Sequence, residues 1–129
     1  MGKGAAVQKK RTIILLFAIA LALYVLAGVV FNPMIVWTAG PVFLSYPLLS
    51  HGLSKGSKRN CFGAYAYLVG SSGFSLAYHF AWFFDWGGTK TGGSTSALIF
   101  AVFPVYAVII GLLLWPIGYA LGGISARKP

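Results

Sequence analysis

The sequence predicts an all-α integral membrane protein with four transmembrane helices and both termini in the cytoplasm. Of the 129 residues, 58% are hydrophobic and only 9% are charged, whereas soluble domains carry about 25% charged residues. Four long apolar runs alternate with short loops, and the Lys and Arg residues cluster in every second loop. A chain of this composition lacks the polar surface that keeps a protein dissolved, so we expect a membrane protein.

The first span is predicted at residues 13–31, after a basic N-terminal segment of residues 1–12. The run IILLFAIALALYVLAGVVF contains no charge and has the length of about 20 residues that crosses a bilayer. Asn32-Pro33 is expected to end the helix, since proline disfavours helical geometry in the preceding residue. A signal peptide cleaved near Ala22 is the alternative, but the apolar run is longer than a usual signal core.

The remaining spans are predicted at residues 34–50, 61–84 and 97–122, which gives a membrane domain of residues 13–123 and a tail of residues 124–129. The second span carries Pro41 and Pro47, and the fourth carries Pro104 and Pro116. Proline removes a helical hydrogen bond and clashes with the carbonyl four residues back. We therefore expect a small helical bundle in which helices 2 and 4 are kinked.

The orientation follows from the basic residues, because cytoplasmic loops are enriched in Lys and Arg. With four spans, all ten Lys and Arg residues except Lys90 share one side. The basic residues expected to face anionic lipid on that side are Lys9, Lys10, Arg11, Lys55, Lys58 and Arg59. The bias fits a bacterial inner membrane, and the lack of a soluble basic module argues against nucleic acid as a partner.

Small residues indicate how the helices pack. The third span is rich in Gly, Ala and Ser, which allow helix backbones to approach closely in a membrane. Gly118 and Gly122 form a GxxxG motif in the fourth span. This motif is expected to pack either within the bundle or against a second copy of the chain.

One polar stripe is predicted on the third span, since positions seven apart lie nearly on one helix face. The stripe contains Ser72, Ser75, His79, Trp82 and Trp86, with Tyr65 in line with them. One interpretation is a satisfied polar seam inside the bundle. The other is a proton or ligand site, because ionisable residues within membranes are often functional.

The outer loop DWGGTKTGGSTS contains Asp85, the only acidic residue, and Lys90. Asp85 is expected to mark the outer interface, where it either pairs with Lys90 or caps backbone amides of the loop. Ser94 and Ser96 are candidate N-caps for the fourth span.

Several kinds of chemistry lack the residues that they need. Paired acid–base catalysis needs two carboxylates, and the chain has one; a single cysteine excludes an intrachain disulfide. His51 and His79 are predicted on opposite sides of the membrane, so they cannot share a metal. We therefore expect no catalytic residues, no metal and no cofactor.

Two classes of function remain. The first is an accessory, assembly or regulatory subunit of a membrane complex that acts through helix packing, with membrane lipids and a membrane-protein partner or self-association. The second is a small homo-oligomeric transporter or channel that uses the Ser/His stripe. Lipid or quinone binding around Trp82 and Trp86 is a third possibility.

Overall fold

The computed structural model describes residues 2–28, 30–93 and 98–127. Within those ranges the regular elements are α1 Lys3–Ala27, α2 Ile35–Phe43, α3 Ser45–Ser54, α4 Lys58–Phe83, a 3₁₀ turn at Trp86–Gly88 and α5 Ile99–Arg127. The prediction of an all-helical chain is confirmed for these residues. Because α2 and α3 together occupy the predicted second span, four helical segments fit the chain. The proposed caps Ser94 and Ser96 lie outside the described residues, as does the last part of the predicted tail.

The first helix differs from its predicted limits at both ends. It begins at Lys3, so the basic N-terminal segment is helical; its Ala, Gln and Lys residues all favour that conformation. It ends at Ala27, because Gly28 adopts a left-handed conformation with a φ of 70° and its N–H bonds the carbonyl of Val25. Glycine is the usual residue at such a helix end. The helix therefore stops before Asn32-Pro33.

The predicted second span is interrupted at Leu44, between α2 and α3. Pro47 cannot donate a hydrogen bond to Phe43, the residue at which α2 ends. The hydroxyl of Ser45 donates to the carbonyl oxygen of Val42 over 2.7 Å at this break. By contrast, α5 continues as one helix through Pro104 and Pro116.

The most extensive helix contact joins α4 and α5. Glycines on α5 make it possible, since a Cβ at residue 111 would lie 2.6 Å from the Tyr67 ring and one at residue 122 would lie 2.8 Å from the Arg59 Cα. A Cβ at Gly118 would overlap with Ala66 and with the carbonyl of Phe62. Both glycines of the GxxxG motif therefore pack within the bundle, which decides between the two alternatives.

The outside of the bundle is strongly apolar. Two helices, α1 and α5, are long and apolar enough to cross a membrane, and only 22% of the most apolar window of each is buried inside the protein. Large exposed side chains cover both helices, among them Ile14, Phe17, Leu21, Val25, Leu113 and Ile117. A soluble protein rarely exposes a continuous apolar surface of this extent. Inside, Leu16, Val42 and Leu68 form a small core between α1, α2 and α4.

The basic segments meet at one end of the bundle, called the basic end below. The side-chain amide of Gln8 on α1 donates to the hydroxyl of Tyr65 on α4 over 2.8 Å. At the last turns of α5, a Cβ at Gly123 would lie 2.9 Å from the Arg59 Nε. Asp85 and Lys90 follow the other end of α4.

Candidate functional site

The polar seam of α4, defined as Ser72, Ser75 and His79, is buried. The relative exposures of these residues are 9%, 0% and 1%. Spacings of three and four residues place them on one helix face. The hydroxyl of Ser72 donates to the carbonyl of Leu68, and the Nδ1 of His79 lies 2.7 Å from the carbonyl oxygen of Ser75. Since that oxygen only accepts, the His79 ring carries a proton on Nδ1, which leaves Nε2 as the acceptor of the neutral ring.

Aromatic rings of α5 enclose His79. The imidazole makes edge contacts with Phe100 and Phe103, at centroid distances of 5.3 and 5.2 Å. Trp82, one turn further along α4, makes an edge contact with Phe100 at 4.7 Å. Tyr78 stacks on Phe103 at 5.3 Å. His79 is therefore held by one local hydrogen bond within an aromatic enclosure, which is the geometry of a packed seam.

Two buried hydroxyl groups, one on α2 and one on α4, have no hydrogen-bond partner among the described residues. Within the described part of the chain, neither the Oγ of Ser75 nor the Oγ1 of Thr38 has a hydrogen-bond partner. Thr38 on α2 has a relative exposure of 2%. An unsatisfied buried polar group costs about 1–3 kcal/mol, so such groups call for a physical explanation. Thr38 could not be identified from the sequence, since single threonines are common in apolar segments.

Thr38 and Trp82 also line a cleft near the end of the bundle opposite the basic end. The cleft has a volume of about 300 Å³ and is formed by α2, α4, α5 and the segment after α1. Its remaining walls are mainly apolar, with Phe100, Ala101, Leu98, Met34, Ala27 and Asn32. The cleft borders the aromatic enclosure of His79 through Phe100.

Trp86 does not belong to the polar stripe of α4, so the prediction that placed it there is wrong. Because α4 ends at Phe83, the helical phase does not extend to residue 86. Asp85 adopts a φ of 52°, a left-handed conformation that turns the chain away from the helix axis. Trp86 then lies in the 3₁₀ turn, 60% exposed, with its ring stacked 6.0 Å from that of Phe84. The predicted lipid or quinone groove therefore retains Trp82 alone.

Asp85 organises the loop that follows α4, residues 85–93, through hydrogen bonds. Its carboxylate accepts from the backbone N–H groups of Lys90 and Thr91, at 2.8 and 3.0 Å, and from the Thr91 hydroxyl. The Thr91 hydroxyl, followed by the two amides, holds the pKa of the Asp85 carboxyl below its ordinary value. Of the two predicted roles, the structure shows amide capping, and Lys90 contributes its backbone.

The predicted basic residues lie as follows. Lys9, Lys10 and Arg11 are on the first turns of α1, Lys55 follows α3, and Lys58 and Arg59 begin α4. The guanidinium carbon of Arg59 lies 5.6 Å from the centre of the Tyr119 ring on α5, within the range of a cation–π contact. The sequence did not predict the bond between Gln8 and Tyr65, because it depends on the register between two helices.

No group of three or more His, Cys, Asp and Glu side chains with metal-binding geometry occurs among the described residues. No protein-family model, curated protein or solved structure matches this chain.

Proposed function

We propose that the chain is a multi-pass protein of a bacterial inner membrane, with four spans and both termini in the cytoplasm. Lengths support this, since α4 and α5 extend for about 39 and 44 Å at 1.5 Å per residue, more than the roughly 30 Å of a hydrocarbon core. Residues 35–54, across the break at Leu44, extend for about 30 Å. The gathering of basic residues at one end supports the orientation, because the cytoplasmic side is the positive one.

Its function, in this proposal, is that of a non-catalytic accessory, assembly or regulatory subunit that packs against another membrane protein. The observation that carries this is a surface groove between α2 and α5, called the α2–α5 groove. It has a volume of about 410 Å³ and its walls are almost entirely apolar: Val36, Trp37, Gly40, Pro41, Leu44, Pro104, Val105, Val108 and Ile109.

Gly40 distinguishes this groove from the other glycine contacts. A Cβ at Gly40 would meet nothing within 4 Å, whereas one at Gly111, Gly118 or Gly122 would overlap with atoms of α4. The groove thus presents an unoccupied small residue to the outside, which is the kind of position that allows a second helix backbone to approach. Trp37 links the two helices of the groove, since its indole N–H donates to the carbonyl of Ala101 over 2.9 Å. We infer that an apolar transmembrane helix of the partner occupies the groove.

The test is purification of the tagged full chain in a mild detergent, with the variant Gly40→Leu and the control Gly73→Leu. Both glycines have open space around a Cβ, so we expect both substituted chains to fold, which their yield and elution profile check. We expect a membrane protein to co-purify stoichiometrically with the wild type and with Gly73→Leu, and to be lost with Gly40→Leu. Equal recovery with all three chains would refute docking in this groove. A homo-oligomer without another protein would refute the accessory role.

A transporter or channel remains a second candidate because of the unpaired hydroxyls of Ser75 and Thr38. Buried donors without partners are found where a ligand or water is bound in another state, and His79 lies one turn from Ser75. This candidate predicts pH-dependent flux through the purified protein in liposomes, abolished by His79→Ala. If the purified protein carries no flux and the substitution only lowers stability, transport is excluded.

A further inference from the structure

Two clefts adjoin at the basic end of the bundle. One, of about 430 Å³, lies between α1, the turn after α3 and the start of α4, and its lining includes Ser57, Lys58 and Cys61. The other, of about 550 Å³, lies along α1 and includes Arg11. Gln8 and Tyr65 line both clefts. Each cleft therefore has one cationic side chain in its lining, and a hydrogen-bonded pair separates the two.

The polar groups between the two clefts, Gln8 and Tyr65, can each donate one more hydrogen bond. The Tyr65 oxygen accepts from the Nε2 of Gln8, so the O–H of Tyr65 can still donate to a third group. The amide of Gln8 likewise has a second N–H. Together with the guanidinium of Arg11 and the ammonium of Lys58, these groups form a donor-rich lining. Its natural complement is a ligand that is anionic and accepts several hydrogen bonds.

Among the described residues, no acidic side chain lies at this end. Asp85 is the only acidic residue in the chain, and it lies beyond the opposite end of α4, where the Thr91 hydroxyl and two backbone amides occupy its carboxylate. Arg59 is held against the Tyr119 ring. Arg11 and Lys58 therefore have no acidic side-chain partner in the described part of the chain, and their charges are available to an external anion.

We propose that the two clefts form a binding site for the phosphate head group of an anionic phospholipid. Arg11 and Lys58 supply the charge, and Gln8 and Tyr65 supply neutral donors between them. The site goes beyond the general attraction of basic loops to anionic lipid, because it assigns binding to particular side chains in a concave surface. It rests on the proposed insertion of the bundle in a membrane, but not on the accessory role, since no partner protein is involved.

Cys61 provides a built-in reporter of occupancy. It is the only cysteine in the chain, it is partly exposed, and it lines the cleft that contains Lys58. A head group in that cleft is expected to shield the thiol from alkylation. The experiment measures the rate at which a maleimide labels the full chain in nanodiscs of phosphatidylcholine with increasing fractions of phosphatidylglycerol. Native mass spectrometry of the same samples counts the phosphatidylglycerol molecules retained.

The expected result is a labelling rate that falls to a plateau as phosphatidylglycerol is added. The paired substitution Arg11→Gln and Lys58→Gln should weaken this protection about tenfold per cation removed, as expected for the loss of a hydrogen bond from a charged group. A control pair, Lys10→Gln and Lys55→Gln, removes the same charge from residues that line neither cleft, and it should weaken the protection by clearly less. If the first pair fails to fold, Lys58→Gln alone is compared with Lys10→Gln.

Three results would overturn the proposal. One is a labelling rate and a lipid count that do not respond to phosphatidylglycerol. Another is equal loss of protection in both pairs, which would reduce the effect to general surface charge. The third is equal protection by inorganic phosphate in phosphatidylcholine nanodiscs, which would identify a soluble anion as the ligand. Failure of the chain to enter nanodiscs would instead refute the proposed membrane insertion, and it is observed separately.

Discussion

The hydroxyl of Tyr67 on α4 donates a hydrogen bond of 2.9 Å to the carbonyl oxygen of Pro41 on α2. One edge of the same ring lies against Gly111 of α5, where an added Cβ would be 2.6 Å from the ring. Tyr67 is 1% exposed. The side chain of Tyr67 therefore contacts both α2 and α5 from α4. Its partner Pro41 lies three residues before Leu44, where the predicted second span is interrupted. The break at Leu44 is held in place from a neighbouring helix.

Removing this hydroxyl should destabilise the bundle. Tyr67→Phe keeps the ring against Gly111 but loses the bond to Pro41, and side-chain hydrogen bonds between membrane helices contribute about 0.6 kcal/mol on average. We expect a decrease of that size in the free energy of unfolding, measured by denaturation in mixed micelles. Tyr106→Phe is the control, because Tyr106 is 51% exposed on α5. Equal effects of the two substitutions would contradict the role of the Tyr67 bond.

The contact between α4 and α5 should be far more sensitive to glycine substitution than the exposed face of α4. Gly118→Ala places a methyl group against Ala66 and the Phe62 carbonyl, and overpacking of this kind costs about 1–3 kcal/mol. Gly73→Ala meets nothing within 4 Å and should stabilise α4 by up to about 1 kcal/mol, the difference in helix propensity. The same unfolding measurement checks both changes. A stabilising Gly118→Ala would show that the two helices do not pack closely there.

Periodicity within a single helix predicted part of the candidate site. The spacing of Ser72, Ser75 and His79 placed them on one face, and all three side chains are buried in the structure. The same reasoning failed for Trp86, since it assumed a helix that ends at Phe83. Contacts between helices, such as those of Gln8 with Tyr65, depend on the relative register of two elements. A pattern read along one element carries no information about that register.

Removing the unpaired hydroxyl of Ser75 should not lower the free energy of unfolding. Ser75→Ala removes a buried group that has no hydrogen-bond partner among the described residues, so it should leave the bundle equally stable or stabilise it by about 1 kcal/mol. Thr38→Val should behave in the same way. Ser72→Ala is the contrasting variant, because its hydroxyl is bonded to Leu68. Clear destabilisation by Ser75→Ala would mean that the hydroxyl is paired with a bound water or ligand, and would favour the transporter.

The loop that follows α4, residues 85–93, should lose its order in acid, at a pH set by Asp85. Hydrogen bonds to the carboxylate lower its pKa, so the anionic form is the one that stabilises the folded loop. That contribution is complete above the ordinary aspartate pKa of about 3.9 and disappears as the pH falls through the lower pKa of the folded loop. Because Asp85 is the only acidic side chain, the carboxyl ¹³C signal of aspartate-labelled protein gives its titration without overlap.

Threonine variants separate the causes of this shift. Thr91→Val removes the hydroxyl that contributes most to lowering the pKa of Asp85, so the midpoint of the titration should move up toward the ordinary value. Thr89→Val is the matched control, since the Thr89 hydroxyl donates to the carbonyl of Trp86 instead. Its titration should coincide with that of the wild type. The same midpoint in both variants would show that the Thr91 hydroxyl does not bind the carboxylate in solution, and that the two backbone amides hold the loop alone.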